Sequence, residues 1–215
     1  MGVWSSLLMA IVGGSGSGKT TVAKKMNEKL NNFSSLIKMD NYYKDLPPGV
    51  NPQDINFDSP AAFDFDLFFQ HLKNLSEGIT VQVPDYSFIT YRKEPGIYHE
   101  VSPKEVIIVE GILVLYEERF RSLFDLSVFI DTPDDERLLR RIERDMKERK
   151  RSIESIIDQY RKYVAPSFKS FVAPQKYYAD LILPEGGFND VGMGIIYDAT
   201  VQKIQSMKKG SGSPA

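Results

Sequence analysis

Apolar residues in this chain gather in short unbroken runs with amphipathic stretches between them. LLMAIV at 7–12 and VIIV at 106–109 are continuous, which suits parallel strands covered on both faces. Shorter runs near 34–39, 126–131 and 179–183 read the same way. Between them the period changes to that of a helix. Val22, Met26 and Leu30 recur at i, i+4 and i+8, and Leu138, Ile142 and Met146 do so again, with Arg137, Arg140, Arg141 and Arg144 on the other face of that wheel. Helices are therefore predicted near 18–31, 60–76, 134–149 and 152–171, with Pro166 and Pro174 breaking the last one. Strands alternating with helices predict a parallel α/β sheet. The stretch 79–101, rich in Thr, Val, Tyr and Pro, predicts a small β-hairpin excursion. Within it PDYSFITYRKEP (84–95) sets Tyr86, Phe88 and Tyr91 beside Arg92 and Lys93. By itself that is an edge strand, although rings beside cations also suit a nucleobase.

Composition narrows the chemistry. With 215 residues, 42% of them hydrophobic, the chain can bury one substantial core, and we expect a single domain over 1–208 with a flexible tail at 209–215. A net charge of -2 argues against a general nucleic-acid or membrane-surface binder, so any basic site is local. The absence of cysteine excludes disulfides and thiolate chemistry, and two histidines argue against a multi-histidine metal centre. No apolar run reaches the ~18–20 residues that span a bilayer, and a cytoplasmic protein is expected.

Residues 13–20, Gly13-Gly14-Ser15-Gly16-Ser17-Gly18-Lys19-Thr20, fit G-x-x-x-x-G-K-[ST] at every fixed position, and Thr21 follows. A strand before and a helix after are what the motif needs: glycines turn backbone N–H groups onto phosphate oxygens, and the helix N-terminus adds positive potential. Lys19 would then reach the β- and γ-phosphates of ATP and the Thr20 hydroxyl would ligate Mg²⁺. A GTPase would carry N-K-x-D and D-x-x-G strings, and neither is present. A kinase would need an acid near the γ-phosphate. Asp40, at the end of the second strand, can take an acceptor hydroxyl's proton, or it caps a turn. Glu110, at the end of the 106–109 strand, suits a direct or indirect role at Mg²⁺, with Asp40 a further candidate. From 136 to 151, eight Arg or Lys face four Asp or Glu. Such a run is ordinarily a solvated helix, but beside a triphosphate its arginines suit a lid.

Taken with DNYYKD (40–45), NFDSPAAFD (56–64), VPDYSF (83–88), VIIVEGIL (106–113), FIDTPDDERLLRRIERDMKERKRS (129–152) and KYYADLILP (176–184), the chain resembles the uridine kinase (uridine–cytidine kinase) family of P-loop kinases over about residues 8–190. The resemblance implies a three-layer α/β/α fold around a parallel sheet, the hairpin standing over the acceptor site and an arginine-rich helical lid near 140–165. It also implies transfer of the ATP γ-phosphate, with Mg²⁺, to the 5′-hydroxyl of uridine or cytidine. Asp40 would be the general base, and Tyr43 would line the sugar. Asp58 would accept from the ribose 2′- and 3′-hydroxyls. Phe57 and Phe88 would sandwich the base, and Tyr86 would bond its edge. Arg141 and Gln159 would contact the nucleoside and Arg151 the region of the base, while Arg144 and Arg149 would serve catalysis at the phosphates. A homotetramer without nucleic-acid or membrane partners is implied as well. Three positions depart from the family pattern: Tyr91 stands where histidine is usual, Lys150 where glycine is, and Glu185 where arginine is. Phosphoribulokinase and pantothenate kinase are the nearest alternatives, and a nucleotide-binding regulator without transfer is the non-enzyme one.

Overall fold

A computed structural model describes residues 6–210. Five parallel strands, β1 (Leu7–Gly13), β2 (Ser34–Lys38), β5 (Val106–Gly111), β6 (Leu126–Asp131) and β7 (Leu181–Pro184), form one sheet in the order β2-β5-β1-β6-β7. β3 (Val81–Ser87) and β4 (Arg92–Val101) make a separate antiparallel pair, the expected hairpin. Every residue of β1 is buried, and its alternation divides the core. Leu8, Ala10 and Val12 enter a cluster with α2 (Phe65–Ser76), whereas Leu7, Met9 and Ile11 enter one with α1 (Lys19–Leu30) and with Met193 and Ile196 of α7 (Asp190–Gly210). Helices thus lie on both faces of the sheet, in the three layers expected. From β1 the chain moves to β2 and β5 on one side and to β6 and β7 on the other, so a crevice opens at the C-terminal end of β1, where such sheets hold ligands.

Several boundaries differ from the sequence reading. α2 begins at Phe65 rather than 60, because the Asp64 side chain accepts from Leu67 N at 3.1 Å and caps it, while Pro60–Ala62 form a separate 3₁₀ turn capped by Ser59. α3 (Glu118–Arg121) is a single turn and α4 (Asp134–Arg149) is as expected. Pro166 does not end the next helix. α5 (Ile153–Gln159) passes into a π-helical turn at Tyr160–Val164, then α6 (Ala165–Ser167), then a second π turn at Phe168–Val172, a widening that accommodates a residue without a backbone donor. Pro174 opens a 3₁₀ segment, Ala173–Tyr178. α7 was not anticipated, and it carries residues 209 and 210, while 211–215 of the expected tail lie outside the described residues. Among the described residues no helix is long and apolar enough to cross a membrane.

On α4 the arginine face is the more deeply buried, and Leu138 and Ile142 are half-buried. Arg137, Arg141 and Asp145 are its buried residues, whereas Met146 is 48% exposed. The arginine face is turned inward, toward the crevice.

Candidate active site

The phosphate loop joins β1 to α1. Gly16 and Gly18 have φ of 81° and 89°, and a Cβ on Gly16 would lie 2.2 Å from the Arg137 carbonyl oxygen, so only glycine fits there. Lys19 is buried at the start of α1, and Thr20 Oγ1 donates to Glu110 Oε1 at 3.0 Å. Glu110 is itself buried. Burial raises its pKa above the usual carboxylate range; the Lys19 ammonium opposes that and the Asp40 carboxylate adds to it. Asp40 follows β2 in a 3₁₀ turn, Met39–Tyr42. That turn can approach β5 because Gly111 has no side chain: a Cβ there would lie 2.4 Å from that of Met39. Glycine beyond Glu110 therefore sets the two acids side by side at the β-strand ends.

Segment 42–44 pairs with 61–64, Lys44 N donating to Ala62 O and Asp64 N to Tyr42 O, and the Tyr43 and Phe63 rings stack at 4.2 Å. This pairing carries Phe57 and Asp58 to the same wall. Asp58 is buried, its N–H bonded to Asn56 Oδ1, and Asn56 is in turn tied to Ser167 Oγ at 2.9 Å. Burial first, then the carboxylates of Asp40 and Asp58, push the Tyr43 hydroxyl well above its ordinary pKa, so it stays protonated and can donate. Phe88 and Tyr91 come from the tip of the hairpin. Tyr91 has a φ of 55°, a left-handed conformation held by Tyr91 N to Ser87 O (2.8 Å) and Leu46 N to Tyr91 O (3.0 Å).

One cleft gathers Ser15, Lys19, Asp40, Tyr43, Phe57, Asp58, Phe88, Tyr91, Arg141, Arg144, Arg149, Arg151 and Gln159, thirteen of the positions singled out in the sequence, together with Ile112, drawn from segments up to 144 positions apart. Tyr86 does not line it. Its ring lies behind, 5.2 Å from Tyr43 and 5.4 Å from Phe88, with its hydroxyl buried and without a hydrogen-bond partner among the described residues. The aromatics are also arranged differently from a bare sandwich. Tyr91 stacks on Phe57 at 5.3 Å, and the Arg149 guanidinium lies 3.9 Å from the Phe88 centroid. Arg149 is thus the cation beside the rings, while Lys93 pairs with Asp64 at 3.8 Å.

The arginines converge on a residue the sequence reading passed over. Asp145 is fully buried, and Arg144, Arg149, Arg151 and Arg141 lie 2.8, 3.6, 3.6 and 3.7 Å from its carboxylate. Burial alone would raise its pKa, but Arg144, Arg141 and Arg149 outweigh it and hold the carboxyl below the usual range. Its signal was present in the i, i+4 spacing of Arg141, Asp145 and Arg149, but the run was read for its arginines and not for the carboxylate between them. Arg141 donates to Ser15 Oγ at 2.7 Å and to Gln159 Oε1 at 2.9 Å, and Gln159 also accepts from Arg151. Arg137, likewise unassigned, is buried under the loop, its guanidinium 3.7 Å from the Phe168 centroid and its Nη1 without a hydrogen-bond partner among the described residues.

A model described as the phosphoribulokinase / uridine kinase family matches residues 8–192. The chain belongs to this family. Members similar to it include a uridine kinase of Borrelia turicatae (strain 91E135), 46% identical over 190 residues, 88% of this chain and 91% of that one. A uridine kinase of Brevibacillus brevis is 44% identical over 194 residues, covering 88% and 90%. Among solved structures, a possible uridine kinase from Bacillus stearothermophilus superposes with a TM-score of 0.58 at 20% identity, covering 83% of this chain and 89% of that one. Phosphoribulokinase from Rhodobacter spheroides gives 0.60 at 14% identity, covering 84% and 70%. At those identities the superpositions bear on the fold, which is that of a P-loop kinase.

Proposed function

We propose that this kinase transfers the γ-phosphate of ATP to the 5′-hydroxyl of uridine or cytidine. The observation that carries the reading is one cleft in which Lys19 of the phosphate loop meets two carboxylates, Asp40 and Asp58, and four rings, Tyr43, Phe57, Phe88 and Tyr91. A sugar phosphate or pantothenate would have no use for rings at the far end of the cleft. Relatives named uridine kinase at about 45% identity support the same substrate.

In this reading Lys19 and the loop N–H groups hold the triphosphate, and Arg141 and Arg144, which already reach Ser15, add positive charge where the transferring oxygens carry negative charge. Asp40 takes the 5′-hydroxyl proton as that oxygen bonds to the γ-phosphorus and the bond to the β-phosphate oxygen breaks, leaving ADP and the nucleoside monophosphate. Asp58 accepts from the ribose hydroxyls, Tyr43 closes the sugar side, Gln159 and Arg151 bound the nucleoside, and Tyr86 backs the rings instead of reading the base edge. Thr20 Oγ1 and Glu110 Oε1, hard oxygen donors 3.0 Å apart beside the loop, fit Mg²⁺, which takes few protein ligands and keeps waters and phosphate oxygens. Such an ion would neutralise phosphate charge when bound. Cytoplasmic location, a lid over 140–165 and a homotetramer belong to the same proposal.

The test is purified protein with Mg-ATP and a panel of uridine, cytidine, their deoxy forms, ribulose 5-phosphate and pantothenate. We expect turnover of the pyrimidine ribonucleosides, and Asp40→Asn to lower kcat at least ~100-fold with ATP binding little changed. Turnover confined to ribulose 5-phosphate or pantothenate overturns the substrate; a near-normal kcat in Asp40→Asn removes the base.

A further inference from the structure

The arginines of α4 do not all face the same partner. Arg141 and Arg144 reach Ser15 of the phosphate loop at 2.7 and 3.5 Å. Arg149, the last residue of the helix, turns the other way: its guanidinium covers Phe88, while its Nη1 remains 3.6 Å from Asp145. Both Arg149 and Phe88 line the cleft, so the ring face it covers is the one open to the acceptor. The other neighbours of Phe88, Tyr43 and Tyr86, meet it at 77° and 79° and offer no parallel surface. A planar base and a planar guanidinium therefore need the same face.

From this geometry we infer that Arg149 is a positioning residue shared by the two substrate sites: an acceptor base stacking on Phe88 displaces it, and the displaced guanidinium, still anchored near Asp145, turns to the donor's phosphates. The inference rests on the nucleoside-kinase reading above and adds to it a coupling between the sites. Each substrate then strengthens the other's binding by the same factor, since such coupling is reciprocal. Lys150 follows Arg149 in a left-handed conformation (φ 55°) and ends the helix, so Arg149 stands on its last turn.

The experiment measures, by calorimetry, the affinity of a non-hydrolysable ATP analogue with Mg²⁺, alone and with saturating uridine, in the wild type, Arg149→Met and Arg149→Lys. We expect uridine to tighten the analogue several-fold in the wild type, no coupling in Arg149→Met, and an intermediate factor in Arg149→Lys, which keeps the charge but not the planar stack. Arg149→Met should also bind uridine alone at least as tightly as the wild type. Equal coupling in the wild type and Arg149→Met, wild-type protein that binds uridine with no coupling, or a several-fold loss of uridine affinity in Arg149→Met each overturns the inference and leaves the kinase reading intact. If Arg149→Met fails to fold, coupling in Arg149→Lys equal to the wild type does the same. Wild-type protein that neither binds nor phosphorylates a pyrimidine nucleoside removes the reading itself, and the inference with it.

Discussion

At the level of single residues, Glu110 shows stability given up for a site. Burial favours its neutral form, and Lys19 does not fully offset that, so its pKa in the fold is raised. A carboxyl that binds its proton more readily folded than unfolded penalises the fold at neutral pH, and the penalty fades as pH falls through the raised pKa. Glu110→Gln keeps the shape and the Thr20 contact without the charge. We expect it to raise Tm at pH 7 by about 2 °C, the scale of a fraction of a kcal/mol to 1 kcal/mol in a chain of this size, with the advantage shrinking toward acid pH, and to lower kcat/KM by at least ~10-fold. Thermal melts against pH, paired with turnover at pH 7, check both halves; a lower Tm at neutral pH would contradict the burial argument. Residues such as Lys19, Asp40 and Glu110 were legible because each sits at a fixed distance from a strand end or a motif. Asp145 was not, because its role depends on which side of a helix faces inward, and a run rich in both signs of charge hides that. Tyr91 and Lys150 add a different case. Both occupy left-handed backbone where a non-glycine residue costs on the order of 1 kcal/mol, a conformation visible only in the structure.

At the level of elements, α4 is held as much by charge as by apolar packing. Its buried positions are two arginines and an aspartate, and the carboxylate of Asp145 is the common partner of four guanidiniums. Removing that charge leaves neighbouring cations uncompensated in a buried place, which destabilises strongly. Because Asp145 titrates below the usual range in the fold, its contribution is present above the unfolded carboxylate pKa, near 4, and is lost as pH falls through the lower folded value. Asp145→Asn should therefore lower Tm by several degrees at pH 7 and converge with the wild type below about pH 4. A constant difference across pH would assign the loss to packing instead. Element type was readable wherever the hydrophobic period was clean, as in β1, β5 and α1. The ends were set by local chemistry that a periodicity argument passes over, such as the Asp64 cap that starts α2 and the π turns that carry the chain past Pro166.

Across the whole molecule, the sheet separates two tasks. The cluster containing Tyr43, Phe63 and Tyr86 backs the acceptor side of the cleft, while the cluster containing Met26, Leu183 and Ile196 joins α1 to α7 on the other face. Strand alternation was legible in the sequence but strand order was not, since crossovers leave no local trace. α7 escaped notice because Gly192 and Gly194 interrupt its apolar pattern, and what fixes it is contact with α1 on the same face of the sheet. Loss of packing should then have different consequences on the two faces. Ile196 is 3% exposed, and Ile196→Ala should cost ~2–5 kcal/mol, lowering Tm by on the order of 5–15 °C, while both KM values measured well below Tm stay within about twofold. Phe63→Leu removes the ring stacked on Tyr43 at 4.2 Å. It should also destabilise, and in addition it should raise the nucleoside KM several-fold with the ATP KM unchanged, because Tyr43 loses the surface that fixes it against the sugar. Chemical denaturation and two-substrate kinetics on both variants decide the matter. If Ile196→Ala shifts the nucleoside KM as much as Phe63→Leu does, the two faces are not independent, and the site's geometry depends on the whole core.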